Sequence, residues 1–257
     1  MDKTPLFSII TVTFNAEATL ERTFRSAEQQ TSRQFEHLIV DGGSRDGTLR
    51  LARDYAARNT DVHTDIVSEP DRGIYDAMNK GIRRARGRYL IFLNAGDKFH
   101  AADTLAGAAR CIRDNRDGRL PAVVYGETDI VDDKGNFVRH RRLQAPKQLT
   151  WRSFMNGMLV CHQSFYALRE IVPEYDLQYR FSADVDWCIR IMRQAKDMGM
   201  TLLNSHLVLT DYLEEGQTTT NHQTSLRERF RVMCHHYGLL PTLAMHVWFV
   251  VRARIKR

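Results

Sequence analysis

Between Phe7 and Leu93 the chain alternates short apolar runs with segments of helical spacing, and this repeats through four runs. FSIITVTF (7–14), FEHLIV (35–40), HTDIVS (63–68) and YLIFL (89–93) are rich in β-branched and aromatic residues and are bounded by turn formers. That is the composition of strands. Between them, Leu20, Phe24 and Ala27, then Leu49, Ala52 and Ala56, then Ile74, Met78 and Ile82 recur at the spacing of one helix face. The apolar runs are continuous, so both faces of each strand should be covered. A mostly parallel sheet flanked by helices meets that requirement, which predicts an α/β fold. Ligands in such folds sit beyond the carboxyl ends of the strands. The residues there are Thr13–Glu17, Asp41–Ser44, Glu69–Gly73 and Asn94–Asp97. Three of these clusters carry an aspartate and the fourth carries Glu17.

The second half changes character. TLAGAARCIRDN (104–115) reads as a helix, and AVVYGETDIV and NFVRHRRL flank DDKG as a hairpin. WRSFMNGMLVCHQSFYAL mixes loop and strand signals, and DVDWCIRIMRQAKDMG reads as a helix beginning near Asp184. No repeat or low-complexity linker separates the halves, so one shared core is expected. A net charge of +6 favours anionic partners. No RNP-like aromatic pattern or zinc-finger spacing accompanies it, so nucleic acid is not expected. Cys111, Cys161, Cys188 and Cys234 form no CxxC, which fits a reducing cytoplasm. The start, MDKTPLFSIITVTFN, lacks the apolar stretch of a signal peptide.

The apolar part of the C-terminus, residues 239–251, is shorter than the roughly 20 residues a spanning helix needs. Trp248 and Phe249 beside Arg252, Arg254, Lys256 and Arg257 suit the interface of an anionic bilayer. The alternative is a helix packed on the domain with a solvated basic tail.

SIITVTFNAE, EHLIVDGGSRDGT, SEPDRGIYDAMNKGI and YLIFLNAGD, in this order, resemble the inverting glycosyltransferases of family 2, which have the GT-A fold. The likeness is strong over residues 7–100 and continues through CHQSFYA and FSADVDWCIR. It is greatest to bacterial enzymes of exopolysaccharide synthesis, such as those for colanic acid. It implies transfer from a nucleotide-sugar, with UDP as the expected carrier, to a lipid-linked saccharide at the cytoplasmic face of the inner membrane. Residues 1–238 would form the transferase domain, with a nucleotide-binding half (1–100) and an acceptor-binding half (101–238). Residues 239–257 would be a basic amphipathic segment.

The resemblance implies that Thr13 and Glu17 lie around base and ribose. Asp41 ends the second strand, where its carboxylate can accept the imide N–H of uracil or the N1–H and N2–H of guanine. The GGS that follows equally suits an Asx-turn or helix cap. Asp71 is implied at donor hydroxyls, and the Arg72 fork suits a phosphate. A helix-opening turn capped by Asp71 is the competing reading.

Relatives carry Asp-x-Asp-Asp or a similar DxD where this chain has Asn94-Ala95-Gly96-Asp97. Asp97 matches their metal-binding carboxylate, and one carboxylate suffices for Mg²⁺ or Mn²⁺ when diphosphate oxygens and waters complete the shell. Asn94 can bond ribose but brings no charge; a plain surface turn is the alternative.

An inverting transfer needs a base for the acceptor hydroxyl. Asp184 matches best, with Ala183 where a glutamate is frequent. Asp186, two positions on, points elsewhere on a helix, and either acid could simply favour the helix dipole. His162-Gln163 resembles a pair expected to line the acceptor side, although a lone histidine is often structural.

Rival classes fit less well. No GxGxxG follows the first strand, where TFNAEAT stands, which disfavours a dinucleotide oxidoreductase. No Gly-rich phosphate loop supports a nucleotidyltransferase. A non-catalytic sugar-nucleotide-binding or scaffold protein remains an alternative because the first aspartate of the turn is absent.

Overall fold

The computed structural model describes residues 4–115, 118–213 and 222–255. Its parallel half is β1 (Phe7–Thr13), α1 (Glu17–Glu28), β2 (Phe35–Asp41), α2 (Thr48–Arg58), β3 (Thr64–Ser68), α3 (Ile74–Arg84) and β4 (Tyr89–Phe92). β5 (Lys98–Phe99), α4 (Thr104–Arg113), β6 (Val123–Val131), β7 (Phe137–His140) and β8 (Phe165–Leu168) follow. The chain continues through α5 (Ala183–Asp197), β9 (Leu202–Leu213), α6 (His222–Tyr237) and α7 (Leu239–Ile255).

The strands make one sheet in the order β3-β2-β1-β4-β8-β6-β9-β5, with β7 paired to β6. β3, β2, β1 and β4 run parallel, as the continuous apolar runs require. The second half joins by an antiparallel pairing of β8 with β4, then β6 with β8. β9 returns parallel to β6, and β5 lies antiparallel on β9.

β1 and β2 are buried along their whole length, including polar Ser8, Glu36 and His37. Each of these has partners. Glu36 accepts from Ser8 Oγ at 2.7 Å and Gly87 N at 3.1 Å. His37 lies between Thr11 Oγ1 (2.9 Å) and Tyr55 Oη (2.8 Å). Burial pushes the His37 pKa down to about 3, so the ring is neutral.

α5 starts at Ala183, next to the residue where the sequence places a helix start. α6 secures that start. The Glu228 carboxylate accepts Arg180 N at 3.0 Å and Phe181 N at 2.6 Å, and Ser182 Oγ donates to Ser225 O at 3.2 Å. Below α5, Trp187 stacks on Tyr175 (4.9 Å) and meets Phe92 edge-on (5.5 Å), locking the helix against β4. Two elements that hold candidate site residues, the turn after β4 and the first turn of α5, thus sit over one aromatic seam.

Candidate active site

The loops at the carboxyl ends of β1 and β2 are stitched together. Asn15 has a left-handed backbone (φ 48°); its N–H donates to Ser44 Oγ at 2.8 Å and its Oδ1 accepts Arg45 N at 3.0 Å. Ala16 N donates to Thr48 Oγ1 at 2.8 Å, and Glu17 Oε2 accepts Gly47 N at 2.9 Å. Glu17 also pairs with Arg50 at 3.3 Å.

Asp41 is fully buried and organises the turn after β2. Its carboxylate accepts Thr13 Oγ1 (3.0 Å), Gly43 N (3.1 Å), Ser44 N (2.9 Å) and Ser68 Oγ (2.7 Å), and also Ser44 Oγ. Burial works to raise its pKa, but the hydroxyl and amide donors outweigh it and hold the acid below the ordinary range. In this state Asp41 closes an Asx-type turn.

Beside it Asp71 Oδ1 accepts Gly73 N at 2.9 Å. The residue preceding α3 is Gly73, and no side chain caps that helix. The exposed Arg72 guanidinium pairs with Asp76 at 3.2 Å, one turn into α3. Phe14 stands 65% exposed above these loops, a large apolar ring left in solvent. A lone phenylalanine at a strand end carries no sequence signal that sets it apart from a core residue.

The Asn94–Asp97 turn is pinned by Thr23 of α1. Thr23 Oγ1 accepts Gly96 N at 2.9 Å and donates to Asp97 O at 2.7 Å, and Gly96 adopts φ 99°. Asp97 is only 4% exposed; its oxygens accept Gln163 Nε2 (3.0 Å) and Leu213 N (3.2 Å). Burial drives its pKa up to about 6, against the lowering effects of those two donors and of the Arg22 charge. Asn94 Nδ2 lies 3.4 Å from His162 Nε2, while Asn94 Oδ1 is buried with no partner.

Across the cleft, Asp184 and Asp186 have separated environments. Asp186 Oδ2 accepts Arg190 Nε and Oδ1 contacts His236 Nε2, both at 2.7 Å, with 4% side-chain exposure. The Asp184 side chain is 18% exposed; Tyr75 Oη donates to it at 3.2 Å and His162 Nδ1 lies at 3.5 Å. Burial works to raise the Asp184 pKa, yet the His162 contact, the Arg229 charge and the Val185 N–H hold it below the ordinary value. An ionised, partly accessible carboxylate is what a proton acceptor near neutral pH requires.

The family description "Glycosyl transferase family 2" matches residues 8–175, and that span ties together all the strand-end loops above. The chain belongs to glycosyltransferase family 2. The transferase is 35% identical over 215 residues to the PGL/p-HBAD biosynthesis glycosyltransferase of Mycobacterium tuberculosis (strain ATCC 25177 / H37Ra), covering 82% of this chain and 78% of that one. It is 37% identical over 95 residues to the putative teichuronic acid biosynthesis glycosyltransferase TuaG of Bacillus subtilis (strain 168), 37% of each chain.

Among solved structures, S. aureus TarS 1-349 in complex with UDP-GlcNAc superposes with a TM-score of 0.68 at 16% identity, covering 95% of this chain and 73% of that one. The mannosyltransferase PcManGT from Pyrobaculum calidifontis, in complex with GDP-Man and Mn2+, gives 0.61 at 17%, covering 97% and 76%. These likenesses establish the GT-A fold.

The oxygen chemistry of the transferase's 94–97 turn fits a hard divalent cation. An orphaned amide oxygen lies in the same turn as a carboxylate whose charge is poorly solvated, and a cation would satisfy both. A second group of metal-ligand type among the described residues, His100, Asp129 and Asp211, lies across β5, β6 and β9. Its carboxylates already have partners, because Lys98 sits 2.9 Å from Asp211 and His140 Nδ1 lies 2.8 Å from Asp129.

His162 lies against Asp184 and Asn94, and Gln163 donates to Asp97. Sequence reasoning missed Tyr75, Thr23 and Arg229. The Asp186–Arg190 pair was discoverable, since acid and base four apart on a helix commonly meet.

Proposed function

We propose that this transferase is an inverting, metal-dependent enzyme of bacterial surface glycan synthesis. It moves a sugar from a nucleoside diphosphate carrier, with UDP expected, to a lipid-linked saccharide at the cytoplasmic face of the inner membrane. The relatives, named for PGL/p-HBAD and teichuronic acid biosynthesis, support the product class. The donors bound by TarS and PcManGT support a nucleotide-sugar, UDP- or GDP-linked.

The single observation that carries the reading is Asp184. It is the carboxylate of its helix turn that keeps access to the cleft, held ionised and joined through His162 to the 94–97 turn. In the reaction, an acceptor hydroxyl attacks the anomeric carbon on the face opposite the diphosphate and gives its proton to Asp184. Residues 1–100 bind the nucleotide and 101–238 the acceptor. Phe14 offers a ring face to the base, with Thr13 and Glu17 around base and ribose. Asp41 shapes the floor of that pocket. Asp71 lies near donor hydroxyls, and Arg72 exchanges Asp76 for phosphate. Asp97, with Asn94 Oδ1 beside it, would hold Mg²⁺ or Mn²⁺, which supplies neutralising charge to the departing diphosphate.

The partner surface is an anionic membrane. No helix among the described residues is long and apolar enough to cross a bilayer. α7 is instead turned inside out. Thr242 is buried and His246 packs against Phe230 at 5.0 Å, while Leu240 is 79% exposed and Leu243, Val247 and Trp248 share its outward side. The side chains of Arg252 and Arg254, and the whole of Lys256 and Arg257, lie outside the described residues. Their sequence position at the end of that helix suits lipid headgroups.

Thermal shift with a panel of UDP- and GDP-sugars, with and without Mn²⁺, tests the reading. One donor should raise the melting temperature only with metal, and Asp184→Asn should keep that shift while transfer falls by about 10²-fold or more. No shift with any donor, or undiminished transfer by Asp184→Asn, refutes it. Binding without turnover in the unmodified chain would favour the non-catalytic sugar-nucleotide-binding alternative.

A further inference from the structure

His162 and Gln163 occupy one turn of 3-10 helix (His162–Ser164), yet their side chains reach opposite poles of the site. Gln163 Nε2 donates to Asp97 at 3.0 Å, and its carbonyl is fixed by Thr210 Oγ1 at 3.0 Å. The imidazole of His162, 12% exposed and edge-on to Phe92, lies between Asn94 Nδ2 (3.4 Å from Nε2) and Asp184 Oδ2 (3.5 Å from Nδ1).

These neighbours choose a tautomer. With the Asn94 amide N–H toward it, Nε2 must offer the lone pair, so Nδ1 carries the hydrogen and directs it at the carboxylate. A reversed amide would demand Nε2–H and set the Nδ1 lone pair of the neutral ring against a carboxylate oxygen. Asp184 Oδ1 already accepts Tyr75 Oη at 3.2 Å and Val185 N at 2.9 Å. The oxygen left with room for an incoming proton is Oδ2, the one that His162 faces.

Resting on the reading of Asp184 as the base, we propose that His162 is its positioning residue. The Nδ1–H orients Oδ2 toward the acceptor hydroxyl, and Nε2 ties that orientation to Asn94, in the turn that meets the donor. The proton leaves the acceptor oxygen as its bond to the anomeric carbon forms, and comes to rest on Asp184 Oδ2; His162 keeps its own. The contact at 3.5 Å is longer than a formed hydrogen bond, about 2.7–3.2 Å, as such contacts often are before substrate arrives.

Two measurements test this. An asparagine amide can stand in for Nδ1 and a glutamine amide for Nε2, so His162→Asn and His162→Gln separate the two nitrogens. Turnover is followed as UDP or GDP released from UDP-GlcNAc, UDP-glucose and GDP-mannose with Mn²⁺. His162→Ala and His162→Gln should lower kcat by roughly 10²-fold with the donor KM little changed, and His162→Asn should recover most of it.

The second measurement needs no substrate. Two-bond ¹H–¹⁵N couplings of the imidazole rings in the intact protein, with His162 assigned by the signal lost in His162→Asn, should show the Nδ1–H form. Asp184→Asn should alter that signal. An Nε2–H ring, or His162→Ala with unchanged kcat, overturns the proposal. Undiminished turnover by Asp184→Asn would instead overturn the underlying assignment of the base, so the two failures are distinguishable.

Discussion

Asp97→Asn should make the metal-free protein more stable at neutral pH while removing its metal-dependent donor binding. The Asp97 carboxylate is 4% exposed, and burial lifts its pKa from 3.8 to about 6. Below pH 3.8 the acid is protonated in both folded and unfolded chains. Between 3.8 and about 6 the unfolded chain ionises and the folded one does not, so stability falls as pH rises. Above that window both are ionised and the full penalty remains, about 3 kcal/mol at 1.36 kcal/mol per pKa unit.

Asparagine removes that penalty. It also presents an NH₂ to one of the two donors, Gln163 Nε2 or Leu213 N, at a cost of about 1 kcal/mol. The net gain at pH 7.5 is therefore about 2 kcal/mol, or roughly 4–8 °C in melting temperature for a chain of this size. At pH 4.5 the two effects cancel to within about 1 kcal/mol. Thermal or urea melts in EDTA at both pH values measure this. Adding Mn²⁺ with the matching nucleotide should reverse the ranking, because only the unmodified chain gains. An Asp97→Asn protein that is less stable by the same amount at both pH values would refute the burial argument.

Other outcomes follow from the same contacts. Asp186→Ala strips His236 and Arg190 of their buried partner and should destabilise by about 3 kcal/mol in a urea melt, with donor binding retained below the transition. Thr23→Val leaves Gly96 N without its acceptor and frees the 94–97 turn; calorimetry should show metal-dependent nucleotide binding weakened by about tenfold, in line with a loss of 1–3 kcal/mol. Leu240→Glu with Val247→Glu should lower co-sedimentation with anionic vesicles by about tenfold or more, with the melting temperature unchanged because both side chains are exposed.

The parallel half of the fold was legible because burial on both faces writes itself as unbroken apolar runs. Polar residues inside those runs did not disturb the pattern, since Glu36 and His37 find partners in Ser8 and Thr11 of β1, and His37 also in Tyr55 of α2. β9 was not legible. Its 12 residues include Asn204, Ser205, His206, Thr210 and Asp211, and His206 takes a left-handed φ of 56°. Register shifts in the pairing with β6 accompany it, so no period of two survives along the strand. The antiparallel entry of β8 was likewise hidden, because four residues emerging from 3-10 turns leave no window in which a periodicity develops.

Of the candidate site, positions can be read from the sequence but relationships cannot. Two acids spaced like Asp184 and Asp186 cannot face the same way on a helix, and that much follows from spacing. What divides them is who neutralises each. Asp186 meets a guanidinium one turn ahead and a histidine from α6, so its charge is spent on holding α5 and α6 together. Asp184 meets a phenol, a backbone N–H and the edge of an imidazole, so its charge stays available to the cleft. For the Asp97 side of the site the decisive neighbour is Gln163, 66 positions away in the chain. Spacing along a chain reports direction, whereas the work a carboxylate can do depends on charges brought to it by folding.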